Sequence, residues 1–244
     1  MRLRVIGCGD AFGSGGRGNA AFLLEGTGGR LLLDCGPATP AALKRQGLRP
    51  AGIDAVAVSH FHGDHFGGLP FFFLESRYLE PRQAPLQVAG PPGVRRIVED
   101  LARALYPAGA ARPDPAITTF TELVPGREEP VGPATLRAFE VPHAEGEPCL
   151  GLEVHMDGRR VVYSGDTRWF PGLGSVAKEA DLLLWECTSL EGDGGGHTSL
   201  EDVLRERDGL GCRRLLLVHL GPGVLDARGD HDLPWAEDGM TVDL

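Results

Sequence analysis

Short apolar runs, each closed by a glycine, a proline or a charged residue, recur along the whole chain. Runs of this length bounded by turn formers read as buried strands. In the first half they predict strands over 2–6, 19–25, 30–34, 54–58 and 86–88, the second and third joined by the turn Gly26-Thr27-Gly28-Gly29. Helices are predicted over 38–47, 67–80 and 93–105, the last entered through Pro91-Pro92, where proline's fixed φ suits a helix start. Residues 107–115, rich in Pro, Ala and Gly, read as a linker loop. The second half repeats the theme, with strands near 117–124, 134–141, 148–156, 159–164, 181–185 and 214–218 and helices near 173–178 and 198–208. Two series of strands with helices outside predict two mixed β-sheets flanked by helices, a four-layer αββα sandwich. The 244 residues are expected to form one domain, 1–244.

The polar residues that end these runs carry the chemistry. Ala55-Val56-Ala57-Val58 leads into His60-Phe61-His62-Gly63-Asp64-His65, four metal-ligand side chains within six residues. Side chains two apart on extended backbone point the same way, so His60 and His62 can hold one ion together. Gly63 is expected to let the chain turn, so that Asp64 and His65 face a second position beside the first. Imidazole and carboxylate suit zinc, manganese or iron. Three further runs end in a candidate ligand: His143 after Thr135–Val141 and a proline, Asp166 after Val161–Gly165, and His219 after Leu215–Val218. Together they supply what a two-metal site needs, with the carboxylate of Asp166 placed to bridge.

Other signals change the picture less. Gly13-Ser14-Gly15-Gly16-Arg17-Gly18 contains GxGxxG, but a strand rather than a helix is predicted to follow, which argues against a dinucleotide fingerprint and for a flexible loop beside the metal site. No serine lies in a GxSxG context. Thr198-Ser199-Leu200-Glu201 matches a capping box and predicts a helix starting at Thr198, which leaves His197 projecting from a loop approached through Gly194-Gly195-Gly196. Phe71-Phe72-Phe73 reads as a buried helix face, and His155 and His231 as structural or exposed residues rather than ligands.

Composition narrows the partners. With 24 basic against 34 acidic residues the formal charge is −10, whereas nucleic-acid binders present basic stripes that neutralise phosphates. Arg95, Arg96 and Arg103 could make only a small basic face. No apolar stretch approaches the roughly 20 residues of a membrane span, and Met1–Ile6 runs straight into a strand without a signal-peptide core. Five cysteines, at 8, 35, 149, 187 and 212, form no CxxC pair, so reduced thiols and a cytoplasmic location are expected.

The ligand pattern closely resembles the metallo-β-lactamase superfamily over nearly the whole chain. Val5–Phe12, Gly16-Arg17-Gly18-Asn19, Leu32–Gly36, Gly67-Gly68-Leu69-Pro70, Ser164-Gly165-Asp166-Thr167 and Ala236–Met240 are similar to its ribonuclease Z-like group. Most discriminating is Trp185-Glu186-Cys187-Thr188 followed by His197-Thr198-Ser199, which resembles the Glu and His that assist phosphodiester cleavage there. Glyoxalase II-like and lactonase-like branches share the ligands but lack this pair.

The resemblance implies two divalent metal ions, zinc before manganese or iron. One would be held by His60, His62 and His143, the other by Asp64, His65 and His219, with Asp166 bridging. His197 would protonate the leaving oxygen, Glu186 would orient it, and Asp64 belongs to the same catalytic set. A homodimer is also implied. True ribonuclease Z carries a long basic arm between the positions of His143 and Asp166. Here only 22 residues separate them, read as two strands joined by the turn Asp157-Gly158. The expectation is therefore a phosphodiesterase for a small phosphodiester or nucleotide, with tRNA 3′-processing or thioester or lactone hydrolysis as alternatives and nucleic acid disfavoured.

Overall fold

The computed structural model describes residues 1–192 and 195–244. Among the described residues thirteen strands form two sheets. The first contains β1 (Arg2–Gly7), β2 (Ala21–Gly26), β3 (Gly29–Leu33), β4 (Ala55–Ala57), β5 (Leu86–Gly90) and β6 (Thr118–Glu122). The second contains β7 (Glu128–Val131), β8 (Ala134–Glu140), β9 (Leu150–Met156), β10 (Arg159–Tyr163), β11 (Leu182–Glu186) and β12 (Leu215–Val218), while β13 (Thr241–Asp243) returns to the first. The orders are β13-β1-β2-β3-β4-β5-β6 and β12-β11-β10-β9-β8-β7. β3 to β6 run parallel, as do β10 to β12, and the remaining pairs are antiparallel.

Continuous apolar runs are needed because each sheet is covered twice. Leu31 and Leu33 face the core between the sheets, while Leu32 faces the helices outside. Leu182 and Leu184 point inward and Leu183 and Trp185 outward in the same way. The inner core joins Phe22, Leu136, Leu152 and Tyr163, each fully buried or nearly so. Burying one such side chain contributes about 1.5–3 kcal/mol. Helices α1 (Thr39–Arg45), α3 (Leu69–Tyr78) and α4 (Val94–Leu105) cover the first sheet, and α5 (Leu173–Ala177), α6 (Leu200–Glu206) and α7 (Pro222–Asp226) the second. Val94, Val98 and Ala102, four apart, form the buried stripe of α4. The result is a four-layer αββα sandwich. Among the described residues no helix is long and apolar enough to cross a membrane.

The turn expected at Gly63 takes the form of the one-turn helix α2 (Gly63–Phe66), with His62 at its N-cap. Several expectations are corrected. The second-half helix begins at Leu200, not Thr198, because Ser199 accepts the Asp202 N–H at 3.1 Å. Thr198 instead receives the Trp185 indole N–H at 3.0 Å and donates to the Thr167 carbonyl at 2.8 Å. Phe72 and Phe73 are buried, but Phe71 is 39% exposed. The arginines of α4 offer no free basic face, since Glu99 and Asp100 lie one turn away from Arg95, Arg96 and Arg103. Strands β7 and β13 and helix α7 were not expected from the sequence. Gly194 lies outside the described residues.

Candidate metal centre

The C-terminal ends of parallel strands from both sheets meet at one edge, and the candidate ligands sit there. β4 leads to Ser59 and His60, β10 to Asp166, β11 ends on Glu186 and β12 leads to His219. His143 follows β8. Two close approaches need glycine. A β-carbon at Gly36 would collide with the Asp64 carbonyl, and one at Gly165, whose φ is 58°, would come 2.7 Å from the Leu150 carbonyl. Asp34 and His219 also adopt positive φ, 58° and 51°. Non-glycine residues avoid this region at a cost of roughly 1–2 kcal/mol, and such strain gathers at functional sites.

One ligand atom each from His60, His62, His143 and Asp166 lies within 4.8 Å of the others, and so do those of Asp64, His65, Asp166 and His219. Asp166 belongs to both sets. Its Oδ2 is 3.2 Å from His65 Nε2, 3.3 Å from His219 Nε2 and 3.8 Å from His60 Nε2. His62 Nδ1 approaches His143 Nε2 at 3.1 Å. His60 Nε2, His65 Nε2 and Asp166 Oδ1 are buried without a hydrogen-bond partner among the described residues. Buried polar atoms are seldom left unpaired, and three in one spot mark a place for an ion.

The other ring nitrogens are tied down, which turns these atoms inward. His65 Nδ1–H donates to Asp34 Oδ2 at 2.7 Å. His60 Nδ1–H donates at 3.0 Å to Ser59 Oγ, whose own proton goes to the same Asp34 oxygen at 2.8 Å. Asp34 further accepts the Ser59 N–H and the Tyr163 hydroxyl, both at 2.7 Å. His219 Nδ1–H donates to Thr188 Oγ1 at 2.8 Å, and that hydroxyl donates to Glu186 Oε2 at 2.9 Å. His143 Nδ1–H donates to the Gly196 carbonyl at 2.9 Å. Fixing one nitrogen fixes the tautomer and presents the other as a lone pair.

Electrostatics favour a cation here. Burial and the neighbouring His65 hold the His60 imidazole well below its ordinary range. Burial opposes charge at His65 and His219 too, but Asp166 outweighs it and raises both, His219 to about 9. Burial alone would push Asp64 and Asp166 up, yet His219 and His65 hold both carboxyls low. Protons on histidine thus balance the carboxylates, and a divalent ion can replace them with the rings neutral. The donor set fits such ions.

Beside this cluster His197 Nδ1–H donates to Glu186 Oε1 at 2.8 Å, and its Nδ1 lies 3.9 Å from Asp166 Oδ2. Glu186 is fully buried and also accepts the Thr167 N–H at 2.8 Å. Burial disfavours charge on His197, but the bond and charge of Glu186 overcome it and raise its pKa. The structure therefore brings together all nine residues singled out by sequence: His60, His62, Asp64, His65, His143, Asp166, Glu186, His197 and His219. His155 is elsewhere, bonded to Glu153 at 2.6 Å. Sequence reasoning missed the supporting groups Asp34, Ser59, Tyr163 and Thr188. Asp34 carried a signal, since it ends the run Leu31-Leu32-Leu33 as the candidate ligands end theirs.

Fold and donor set together define a metal-dependent hydrolase of the metallo-β-lactamase superfamily, in its ribonuclease Z-like part. Within it, the chain belongs to the family described as Anti-Pycsar protein Apyc1, whose profile matches residues 1–234. Among individual relatives, the ribonuclease Z of Haloferax volcanii is 30% identical, over 100% of this chain and 95% of its own length. That alignment spans 303 positions, so the relative holds insertions this chain lacks. The Anti-Pycsar protein Apyc1 of Paenibacillus sp. is 29% identical over 84% of this chain and 83% of that protein. In fold, the metallo-β-lactamase fold protein YhfI from Bacillus subtilis superposes with a TM-score of 0.79 at 21% identity, covering 99% of each chain.

Proposed function

We propose that this protein is a dinuclear metal-dependent phosphodiesterase acting on a small phosphodiester or nucleotide. The observation that carries the reading is the His197–Glu186 pair, hydrogen-bonded at 2.8 Å and set against the shared carboxylate of Asp166. Thioester and lactone hydrolysis by the same ligands would not need that pair. His60, His62 and His143 would hold one ion, Asp64, His65 and His219 the other, with Asp166 common to both. Bound there, divalent ions would supply Lewis acidity for the phosphate oxygens and lower the pKa of an attacking water towards neutrality. Zinc suits the imidazole-rich set, and manganese or iron the same donors.

The chain's own groups supply the rest. Nδ1 of His197 is committed to Glu186, so Nε2 is the nitrogen that gives a proton to the leaving oxygen. Glu186 favours the imidazolium and fixes the ring, and its other oxygen is occupied by Thr188. Asp64 holds His219 and His65 through contacts of 3.4 and 3.2 Å. Small substrates are favoured over tRNA because β9 and β10 are joined by a two-residue turn, Asp157 and Gly158, both at positive φ. That turn is pinned by Thr27, whose N–H and hydroxyl donate to the Asp157 carboxylate at 2.8 and 2.7 Å. The reading includes a homodimer and a cytoplasmic setting, the latter consistent with five unpaired cysteines.

Turnover by the metal-reconstituted protein tests this against a generic phosphodiester, cyclic nucleotides, precursor tRNA, a thioester and a homoserine lactone. Fastest cleavage of a small phosphodiester is expected. Faster cleavage of precursor tRNA would replace it with 3′-end processing, a second reading favoured by the identity to ribonuclease Z. Turnover confined to thioester or lactone would sink both.

A further inference from the structure

Arginine is nearly always paired in this molecule. Of the 22 arginines, only Arg45, Arg112, Arg137 and Arg168 have side chains without a hydrogen-bond or ion-pair partner among the described residues. Arg168 alone among them is tied to the metal-centre segments. It lies two residues after Asp166, and its backbone N–H donates at 3.0 Å to the carbonyl of Pro142, the residue before His143. A β-carbon built on Gly196 would sit 3.4 Å from His143 Nδ1 and 3.8 Å from Arg168 Nη2. The guanidinium thus lies along the same glycine whose carbonyl orients His143.

The backbone that carries Arg168 is held from several sides. The Thr167 N–H donates to Glu186 at 2.8 Å, the Thr167 carbonyl accepts from Thr198 at 2.8 Å, and the Thr167 hydroxyl donates to the Arg168 carbonyl at 2.7 Å. The next residues, Trp169 and Phe170, each pack on Trp185 with ring centroids 6.0 Å apart. An exposed, unpaired fork on a fixed stem has its main chain already ordered for a ligand.

Charge says which ligand. Two divalent ions would bring four positive charges and the His197 imidazolium a fifth, against four negative ones from the carboxylates of Asp34, Asp64, Asp166 and Glu186. A loaded centre with neutral ligand histidines has little net charge left to attract an anion, in a protein whose formal charge is −10. A planar guanidinium beside Gly196, next to His143, supplies that charge and matches phosphate oxygens two at a time.

We propose that Arg168 is the specificity-determining residue that binds the anionic phosphate oxygens of the substrate on the His143 side, and so selects phosphodiesters over neutral esters. This rests on the phosphodiesterase reading above. Inorganic phosphate titrated calorimetrically into the zinc-loaded protein is the direct probe, with metal content measured in each sample. Arg168→Ala should weaken phosphate about tenfold, within the range of a partly exposed charge-assisted contact, and Arg168→Lys should recover only part of it. Metal content should not change. In turnover, Arg168→Ala should raise KM for bis(p-nitrophenyl) phosphate with kcat nearly constant, and leave hydrolysis of p-nitrophenyl acetate unchanged. Equal phosphate affinity in wild type and Arg168→Ala overturns the proposal, as does parallel loss of metal and phosphate. Failure of every phosphodiester as substrate, with phosphate binding still dependent on Arg168, overturns the phosphodiesterase reading and leaves the anion site standing.

Discussion

The two halves of the metal centre are built differently. On the Asp64 side, His65 is completely buried and His219 3% exposed, and both rings are backed by chains that end in buried carboxylates, Asp34 and Glu186. On the other side, His62 is 41% exposed and has only Glu147, 3.9 Å away and itself half exposed, behind its second nitrogen. His143 is backed by the Gly196 carbonyl, a neutral acceptor. A carboxylate behind an imidazole raises its basicity more than a carbonyl does. His60 shares that side with His62 yet is buried and backed by Asp34 through Ser59, so the contrast rests on His62: with metal loaded, the Asp64 half would be the preorganised holding site and the other half, opened at His62, the face met by solvent and substrate. Asp166 couples them.

The largest effect should come from breaking that coupling. Asp166→Ala removes the carboxylate common to both halves, so elemental analysis should find both ions lost and turnover should vanish with them. Retention of one tightly bound ion would show that the halves load independently. Next in size is His197→Ala, which should keep the metal content and cut phosphodiester turnover by about 10²–10⁴, the usual contribution of a positioned acid. An unchanged rate would remove His197 from the chemistry.

A sharper contrast comes from truncating one ligand in each half and unfolding the metal-free protein with denaturant. His65→Ala leaves Asp34 buried beside a cavity without its strongest partner, and breaking such a buried pair costs about 3–5 kcal/mol. Three remaining donors to Asp34 place the expectation near the lower figure. His62→Ala exposes nothing buried and should stay within about 0.5 kcal/mol of wild type. Similar losses in the two variants would mean that the halves are equally preorganised, against the geometry.

How much of this could be read from the sequence follows from what each feature depends on. The strands and the candidate ligands at their ends were legible because both are local: an apolar run, then a His or Asp, within a few positions. The supporting network was not, because Asp34 meets Tyr163 across 129 residues and Thr188 meets His219 across 31. Nothing in either segment announces the pairing. The start of α6 was misplaced because Thr198 and Ser199 are both good caps, and only the buried demands of Trp185 and Thr167 decide between them. β7 was missed for a different reason. Glu128-Glu129-Pro130-Val131 is polar and carries a proline, which suits only an edge strand, and β7 is at the edge of its sheet.

The most conservative substitution probes the anchor of the buried half while leaving its ligands intact. Tyr163→Phe removes one hydroxyl, 2.7 Å from Asp34 Oδ2, and keeps the ring that packs edge-on against Phe22 at 5.2 Å in the inner core. Asp34 retains the Ser59 N–H, the Ser59 hydroxyl and His65, so no charge is stranded. Stability should fall by about 1–2 kcal/mol, the range for one buried bond to a charged acceptor. Because Asp34 backs His65 directly and His60 through Ser59, the loosened carboxylate should weaken metal in both halves, by less than the roughly 10–100-fold that follows loss of a ligand's own partner. Competition with a chromophoric chelator reads this: two ions released at lower chelator concentration than in wild type support a shared anchor. Weakening of one ion alone would confine Asp34 to the His65 side and make the two halves more separate than their shared carboxylate suggests.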